Sequence, residues 1–413
     1  MNLRRTSFGI LFLIFSLLIC GAANGSNINT SALSNRLKKN TKLLYQTPEP
    51  QETELDPIIE WITFTGNALD ESVIDMAVDS FGNMYVLANR HEKEFSYNED
   101  RNEILFYKVN STGTLLWQVI VPTSPVNFAS SVEVTKAGRI YILGSSLESW
   151  GNPINPHSGI DRDAFLAEYD ENGGLLWNTF LGGEGDNDTG ALISDENGFL
   201  YLGFDNTKVI SNNPVVTVTE TSTATVEATE PPTTESELEG SNALTLPVVT
   251  KLNADGQVLW SQIFEVDGDA SIYDMALAQD GSLVVAGYSE TGWGNPVRPF
   301  TENTDGFDGF LAKLDSAGGL VWNTFMGGSG DDDAYRILLD ADGNIYNCGY
   351  SYVAWGDPLN PHTTGYDPYI AKTDPNGNLL WHTFVGGIGD DVDADFIYTD
   401  NGNLLLVGSS ENS

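Results

Sequence analysis

The 413-residue chain contains little cysteine, little positive charge and only one long apolar run. Cys20 and Cys348 are its two cysteines, so a fold of this size must be stabilised by its hydrophobic core rather than by disulfides. Nineteen Lys and Arg residues stand against 58 Asp and Glu, which gives a net charge of −39. Phosphate binding requires clustered basic residues, so the composition argues against nucleic acid and anionic lipid as partners. It favours cations, basic partners or simple solubility.

The single long apolar run lies near the N-terminus, at residues 8–20, and a short basic region precedes it. Ala23 and Gly25 occupy the two small-residue positions that a signal peptidase requires. We therefore predict a signal peptide over residues 1–25, with cleavage before Ser26. The mature protein would be secreted or located in the cell envelope, with no membrane span.

Two alternatives to release by cleavage stay open. The residues before Cys20 loosely resemble a lipoprotein signal, although Ile19 is larger than that motif accepts. The apolar run could also be retained as an anchor, but it is short for a membrane span.

An internal repeat is the main organising feature of the chain. Six tryptophans recur, and each is followed 21 residues later by a glycine. The pairs are Trp61 and Gly82, Trp117 and Gly138, Trp177 and Gly198, Trp260 and Gly281, Trp322 and Gly343, and Trp381 and Gly402. Such a register over six units indicates a repeat protein.

Each unit is predicted to contain four short strands. A turn ending in Gly leads into an apolar run, as in DGNIYNCG at 342–349, and Gly supplies the positive φ that a tight turn requires. A second such turn precedes each later tryptophan, as in TDPNGNLLW at 373–381. Helical periodicity is missing from the units. Four antiparallel strands per unit are typical of a β-propeller blade.

We predict an all-β fold, a propeller of six four-stranded blades over residues 57–410. With strands labelled a to d from the channel outward, the complete blades are expected at 68–122, 127–182, 188–265, 270–327 and 333–386. The sixth would combine strands a and b from 392–410 with a strand d around Trp61, which removes exposed sheet edges. Residues 26–56 are expected to be partly disordered. A Thr-, Glu- and Pro-rich insertion at about 209–246 is expected to be a disordered loop.

The repeat resembles the SBBP (seven-bladed β-propeller) repeat family. The resemblance covers about residues 57–410 and is carried by WNTFMGGSGDDDA at 322–334, DADGNIYNCGYS at 340–351, WGDP at 355–358 and DPYIAKTDPNGNLLW at 367–381. It implies a propeller in an exported or surface protein, and it implies no chemistry. The chain has six units, whereas the name of the family implies seven.

Acidic loops mark one predicted face of the propeller. The connections between strand d and the next strand a carry carboxylates that we expect to crowd the mouth of the central channel. The candidates for a cation site, with Ca²⁺ as the suitable ion, are Asp186, Asp188, Asp331, Asp332, Asp333, Asp390 and Asp391. The alternative is that each Asp only caps its own turn. The spacing of an EF-hand is missing.

Three W-G-N/D-P loops on the same face supply candidate ligand-binding aromatics, Trp150, Trp293 and Trp355. An exposed tryptophan could stack on a sugar ring or anchor a protein partner. The alternative is that each indole packs in the core. No histidine, serine or cysteine set indicates catalysis, so we name no catalytic residue.

These features favour an exported, non-catalytic propeller that binds a protein or glycan at the cell surface, and we expect a monomer. An enzyme is the alternative, because quinoprotein dehydrogenases are propellers with a similar turn before Trp; a calcium-dependent polysaccharide-cleaving enzyme is another. Fold analogy alone supports these alternatives weakly. A purely structural envelope protein is a further alternative, and it predicts no saturable ligand.

Expression of the full chain in a bacterial host should give a mature protein that begins at Ser26. N-terminal sequencing and intact mass measurement check this directly. An intact N-terminus, or a lipid-modified Cys20 at the start of the mature chain, would contradict the prediction.

Overall fold

The computed structural model describes residues 70–92, 101–122, 127–159, 161–183, 185–210, 242–301, 306–398 and 403–410. All regular structure in these ranges is β-strand. None of these ranges contains a helix that could cross a membrane. The predicted signal peptide, the 26–56 segment and the strand around Trp61 lie outside the described residues.

The strands form five four-stranded antiparallel sheets and one two-stranded sheet within the described residues. Sheet I contains β1 (Asp70–Val78), β2 (Met84–Glu92), β3 (Arg101–Val109) and β4 (Leu115–Ile120). Sheet II contains β5 (Phe128–Val134), β6 (Ile140–Ser146), β7 (Asp163–Tyr169) and β8 (Leu175–Leu181). Sheet III contains β9 (Asp186–Ser194), β10 (Leu200–Ile210), β11 (Asn242–Leu252) and β12 (Val258–Ile263).

Sheets IV and V follow the same order. Sheet IV contains β13 (Ala270–Leu277), β14 (Leu283–Ser289), β15 (Asp308–Leu314) and β16 (Leu320–Met326). Sheet V contains β17 (Arg336–Leu339), β18 (Ile345–Ser351), β19 (Asp367–Thr373) and β20 (Leu379–Phe384). Sheet VI contains β21 (Asp391–Tyr398) and β22 (Leu404–Ser410).

The predicted all-β class and the five four-stranded units are confirmed. The bounds agree except that β9 begins at Asp186, two residues before the predicted unit, and β21 at Asp391, one residue before it. The predicted disordered loop is too wide, because β10 continues to Ile210 and β11 begins at Asn242. These two strands pair along their whole length, and that pairing fixes residues 209–210 and 242–246. The rest of the insertion lies outside the described residues.

The sheets have a propeller-like arrangement. The first strands of consecutive sheets contact each other in order, from β1 through β5, β9, β13 and β17 to β21. Residues from β1, β5, β9, β13 and β17 line one central cavity of about 380 Å³. The outer edges of the complete sheets are formed by their fourth strands.

The hydrophobic core lies between successive sheets. Sheets I and II share a cluster that includes Leu87 and Phe165, and sheets III and IV share one that includes Tyr201 and Phe310. Sheets II and III, IV and V, and V and VI share similar clusters. Because the middle strands are covered on both faces, their sequences are apolar runs rather than alternating patterns.

The repeated tryptophans connect each sheet to the next one. The indole N–H of Trp117 in β4 donates to the carbonyl of Glu171 in the β7–β8 turn, at 2.8 Å. Trp260 and Trp322 make the equivalent bonds to the turns before β16 and β20. Each ring also covers the glycine of that turn, which is Gly173, Gly318 or Gly377. This is the glycine that precedes the next tryptophan, and it differs from the glycine that follows each tryptophan by 21 residues.

Gly318 shows why this turn requires glycine. Its φ is +88°, and a Cβ added to it would lie 2.8 Å from the Trp260 ring. A side chain would therefore meet both backbone strain and a steric clash. Gly281, in the β13–β14 turn, has a similar φ of +79° but open space around it.

The variant G318A should be less stable than G281A. Both substitutions introduce left-handed strain of about 1–2 kcal/mol, and only G318A adds overpacking of about 1–3 kcal/mol against the indole. Midpoints of chemical unfolding of the two variants and the wild type measure the difference. Equal midpoints for the two variants would show that the indole–glycine contact contributes little.

Candidate functional site

The face of the molecule that carries the longer connections is called the loop face here. It is formed by the connections between second and third strands and by those between successive sheets. The opposite face carries the tight Asx-Gly turns, such as the one containing Phe81, whose side chain is 83% exposed. Loops that vary in length on one face are a common place for binding.

The three W-G-N/D-P tryptophans do not offer a stacking surface to a ligand. Trp150, Trp293 and Trp355 are only 7%, 8% and 4% exposed. Each ring makes edge contacts with aromatic side chains of its own sheet; for Trp150 these are Phe165 and Phe180. Of the two interpretations of these loops, burial supports the one in which each indole packs in the core. The sequence could not decide between them, because a repeated loop aromatic has the same spacing whether it points outward or into the core.

These tryptophans instead fix the loops. The carbonyl of Trp150 accepts from Asn178 and that of Trp293 from Asn323, at 2.8 and 2.7 Å. In sheet V the ring of His382 replaces the amide, bonds the Trp355 carbonyl and stacks on its indole at 3.8 Å. The parts of the β6–β7, β14–β15 and β18–β19 connections that contain these tryptophans are thus held in place.

Two groups of the predicted acidic candidates contact protein groups rather than an open site. Asp186 accepts from the backbone N–H of Arg162, and Asp188 pairs with the Arg162 guanidinium at 2.9 Å. Asp390 accepts from the backbone N–H of Tyr366, and Asp391 from that of Gly387. Only Asp391 caps its own turn; the other three contact the loop between the second and third strands of the preceding sheet.

Asp331, Asp332 and Asp333 form the third group, in sheet V. Asp332 is fully buried; its carboxylate accepts from the Ser351 hydroxyl and from the backbone N–H of Gly328. A Cβ on Gly327 would lie 2.6 Å from Asp308 Oδ1 and 2.7 Å from Asp332 Oδ2, so these two buried carboxylates converge. Burial and the neighbouring Asp308 raise the pKa of Asp332 to about 9.

Within the described ranges, no group of three or more His, Cys, Asp or Glu side chains is arranged to hold a metal ion. The acidic candidates instead lie in separate turns of sheets III, V and VI. Asp331 accepts from the hydroxyl of Tyr366 and Asp390 from its backbone N–H, so these two carboxylates contact opposite ends of one residue. The calcium site stays a prediction.

A continuous run of aromatic rings lies on the loop face across sheets IV and V. Neighbouring ring centroids are 4.5–5.7 Å apart. We call this run the tyrosine arc; in spatial order it contains Phe307, Tyr288, Tyr273, Tyr335, Tyr350, Tyr366 and Tyr352. Tyr335 is 37% and Tyr352 51% exposed. Such a surface offers large rigid contact area together with hydroxyl groups.

Carboxylates surround the tyrosine arc. The Tyr366 hydroxyl donates to Asp331 at 3.2 Å. Asp333 is only 1% exposed, and neither of its carboxylate oxygens accepts a hydrogen bond of ordinary geometry, although the hydroxyls of Tyr273 and Tyr350 lie beside it. Burial raises the pKa of Asp333 to about 6, and the two hydroxyls oppose that rise.

The pKa values of Tyr273, Tyr288, Tyr350 and Tyr366 are raised, first by burial and then by nearby carboxylates. Burial with nearby Asp205 and Asp269 raises the pKa of Tyr288 to about 12. The pKa values of Tyr273 and Tyr350 are raised further, with Asp333 as the nearest charge. The arc is therefore a neutral aromatic surface in a negative field.

The tyrosine arc was not predicted from the sequence, but a signal for it exists. Eight residues before the turn glycine, sheets IV and V have Tyr273 and Tyr335, where sheets II and III have Ser130 and Gly190. In sheet IV this position is the extra residue of a β-bulge, between Ile272 and Asp274. A bulge re-aims a side chain, and here the residue lines the central cavity.

Acidic side chains also connect the strands around the central cavity. Asp75 in β1 accepts from the backbone N–H of Val132 in β5 at 2.8 Å, and Asp274 in β13 accepts from Ile337 in β17 at 2.9 Å. Both carboxylates also accept the N–H of the residue that follows them.

Arg336 balances part of this negative charge. Its Nε lies 3.7 Å from Asp395 Oδ1 in β21. The positive charge of its guanidinium also interacts with the carboxylates of Asp274 and Asp75. Burial raises the pKa of Asp274 to about 6, and Arg336 opposes that rise. The cavity thus carries several carboxylates and this arginine from five strands.

No family model matches the chain. A stretch of 170 residues is 28% identical to the regulatory protein FlaEY from Caulobacter vibrioides and covers 39% of this chain. The chain spans only 18% of the length of that relative.

Solved structures that resemble this chain do so weakly. A protein of unknown function from Dyadobacter fermentans has a TM-score of 0.42 at 11% identity, covering 82% of this chain and 92% of that one. A polysaccharide lyase of family PL25, an ulvan lyase, has a TM-score of 0.43 at 12% identity, with coverages of 81% and 77%. An apocarotenoid oxygenase from Synechocystis has a TM-score of 0.37 at 12% identity, with coverages of 78% and 62%. Scores of this size carry no argument about function.

The protein should become more stable as the pH falls from 8 towards 5. Burial raises the pKa of Asp332 to about 9, and that of Asp205 to about 7. Between the unfolded pKa near 4 and these folded values, the folded state binds more protons than the unfolded state, so stability decreases as the pH rises. Unfolding midpoints across this pH range check the sign.

The variant D332N isolates one of these groups. Asn187 occupies the equivalent position in sheet III, so the fold accepts the amide. The pH slope of the free energy of unfolding between pH 5 and 8 should fall by about one proton, roughly 1.4 kcal/mol per pH unit. D342N, at an exposed turn residue, should keep the wild-type slope. An unchanged slope in D332N would contradict the prediction.

Proposed function

We propose that the protein is an exported, non-catalytic binding scaffold of the secreted or cell-envelope class, and that the tyrosine arc is its ligand-binding surface. The observation that carries this proposal is the run of seven aromatic rings on the loop face, with Tyr335 and Tyr352 among the more exposed side chains. Tyrosine is enriched at the energetic centres of interfaces because its ring buries area and its hydroxyl stays paired.

The rigidity of the surroundings supports the same proposal. Tyr273 and Tyr335 come from different sheets and stack with an interplanar angle of 3°. The backbone N–H of Tyr352 donates to Asp331, and that of Asp333 donates to the carbonyl of Tyr350. A surface held this way loses little conformational entropy on binding. Protein and glycan are both compatible classes of ligand.

The proposed scaffold is a closed six-bladed propeller of the SBBP type. Its support is the two-stranded sheet VI, which lacks outer strands within the described residues, and the apolar cluster on sheet I that includes Val86 and Leu105 and faces away from sheet II. The predicted strand around Trp61 would add to sheet VI and close the ring. Nothing in the described residues favours the enzyme alternatives.

Removal of the exposed rings should abolish binding without unfolding the protein. Labelled wild type is applied to intact cells of the source organism and to an array of bacterial surface glycans. The double variant Y335S/Y352S should bind at least tenfold more weakly, because the two most exposed rings of the arc are lost.

The matched control is F81S, which removes an exposed ring from the opposite face. It should bind like the wild type, and all three proteins should give the same circular dichroism spectrum. Retained binding by Y335S/Y352S, or no saturable binding by the wild type, would contradict the proposal.

A further inference from the structure

The charge around the tyrosine arc identifies the chemistry of its ligand. The negative charges of Asp269 and Glu290 raise the pKa of Tyr288, and those of Asp331 and Asp390 raise the pKa of Tyr366. Asp333 lies behind the rings of Tyr273 and Tyr350. The faces of aromatic rings are themselves negative, so rings and carboxylates attract the same kind of partner.

Asp333 is a buried carboxylate that indicates a missing cationic partner. A buried carboxylate with no hydrogen bond is costly, and such groups are normally paired with a cation or well bonded. Asp333 is 1% exposed, and neither of its carboxylate oxygens accepts a hydrogen bond of ordinary geometry. The hydroxyls of Tyr273 and Tyr350 beside it offset its burial only in part, since its pKa is still raised. The rings beside its carboxylate contain the hydroxyls of Tyr273 and Tyr350, so its field acts on the arc.

The cationic groups nearest to this region serve other contacts. The guanidinium of Arg298 donates to the carbonyls of Phe325 and Gly327 and lies over the Trp355 ring. Arg336 pairs with Asp395 at the central cavity. The negative field of the arc is thus available to a cation from outside the chain.

We propose that the tyrosine arc binds the guanidinium of an arginine side chain presented by a basic polypeptide segment. This inference rests on the proposed function, and it selects a protein over a glycan as the ligand. The guanidinium stacks on the exposed ring of Tyr352 and pairs with the partly exposed Asp331, which bonds the neighbouring Tyr366. Tyr335, two rings beyond Tyr366 along the arc, offers a second stacking surface to the same segment, with Asp333 behind the rings. A planar cation suits this site because it combines ring stacking with carboxylate pairing.

The test uses two fluorescein-labelled peptides, one with three arginines separated by Gly-Ser and one with citrulline at the same positions. Citrulline keeps the shape of arginine and removes its charge. The wild-type protein should bind the arginine peptide saturably and at least tenfold more tightly than the citrulline peptide. Raising the NaCl concentration from 50 to 500 mM should weaken the binding.

The variants separate site binding from attraction to the net charge of the whole protein. Y335L and Y352L keep every charge and should each lose at least fivefold in affinity, whereas F81L should change it less than twofold. D333N should also weaken binding, and D342N, which removes the same charge from the opposite face, should not. Circular dichroism and thermal melting confirm that each variant is folded.

Equal binding of the two peptides, or equal binding by Y335L, Y352L and the wild type, overturns the inference. If cells or glycans still bind in a manner that depends on Tyr335 and Tyr352, the proposed function stands and only the arginine assignment falls. If Y335S/Y352S changes the binding of neither the peptides nor the cells and glycans, both the proposed function and the arginine assignment are contradicted.

Discussion

The contact between an outer-strand indole and a turn glycine in the next sheet sets the geometry of the whole structure. The glycine is required twice over, since the turn needs a positive φ and the ring of the preceding sheet leaves no room for a Cβ, as at Gly318 under Trp260. Because the same contact recurs between successive sheets, it holds them at a common spacing. The apolar clusters between sheets then have similar thickness, which explains why one residue pattern can fill all of them.

Acidic side chains have a second structural role, because they accept backbone N–H groups from the first strand of the neighbouring sheet. Asp75 and Asp274 accept backbone N–H groups from the neighbouring first strand, and Asp205 of sheet III does the same for Ile272 of sheet IV. The first strand of a sheet is an edge strand, so its outward N–H groups have no ladder partner, and a carboxylate satisfies them. A part of the large negative charge is therefore internal, which is why acidification is expected to stabilise the protein.

Much of the fold could be predicted from the sequence, because turn glycines and apolar runs act locally and repeat. The site could not. The repeat alone does not say whether Trp150 points outward, and the structure turns it into the core. The tyrosines could not be predicted for the opposite reason. Tyr273 and Tyr335 occupy a position that holds Ser130 and Gly190 in sheets II and III, so they are exceptions to the repeat. Their significance depends on a bulge and on stacking between sheets, which no local pattern encodes.

The indole–glycine contact also has a direction along the chain. Each of these tryptophans reaches forward to the following sheet: Trp117 bonds a turn residue 54 positions later, and Trp322 one 53 positions later. During synthesis, a sheet can therefore be secured as soon as the next one has emerged, without waiting for distant sequence. We therefore expect assembly to proceed from sheet I onward. The proposed ring closure, which joins the two ends of the chain, would be the last and slowest step.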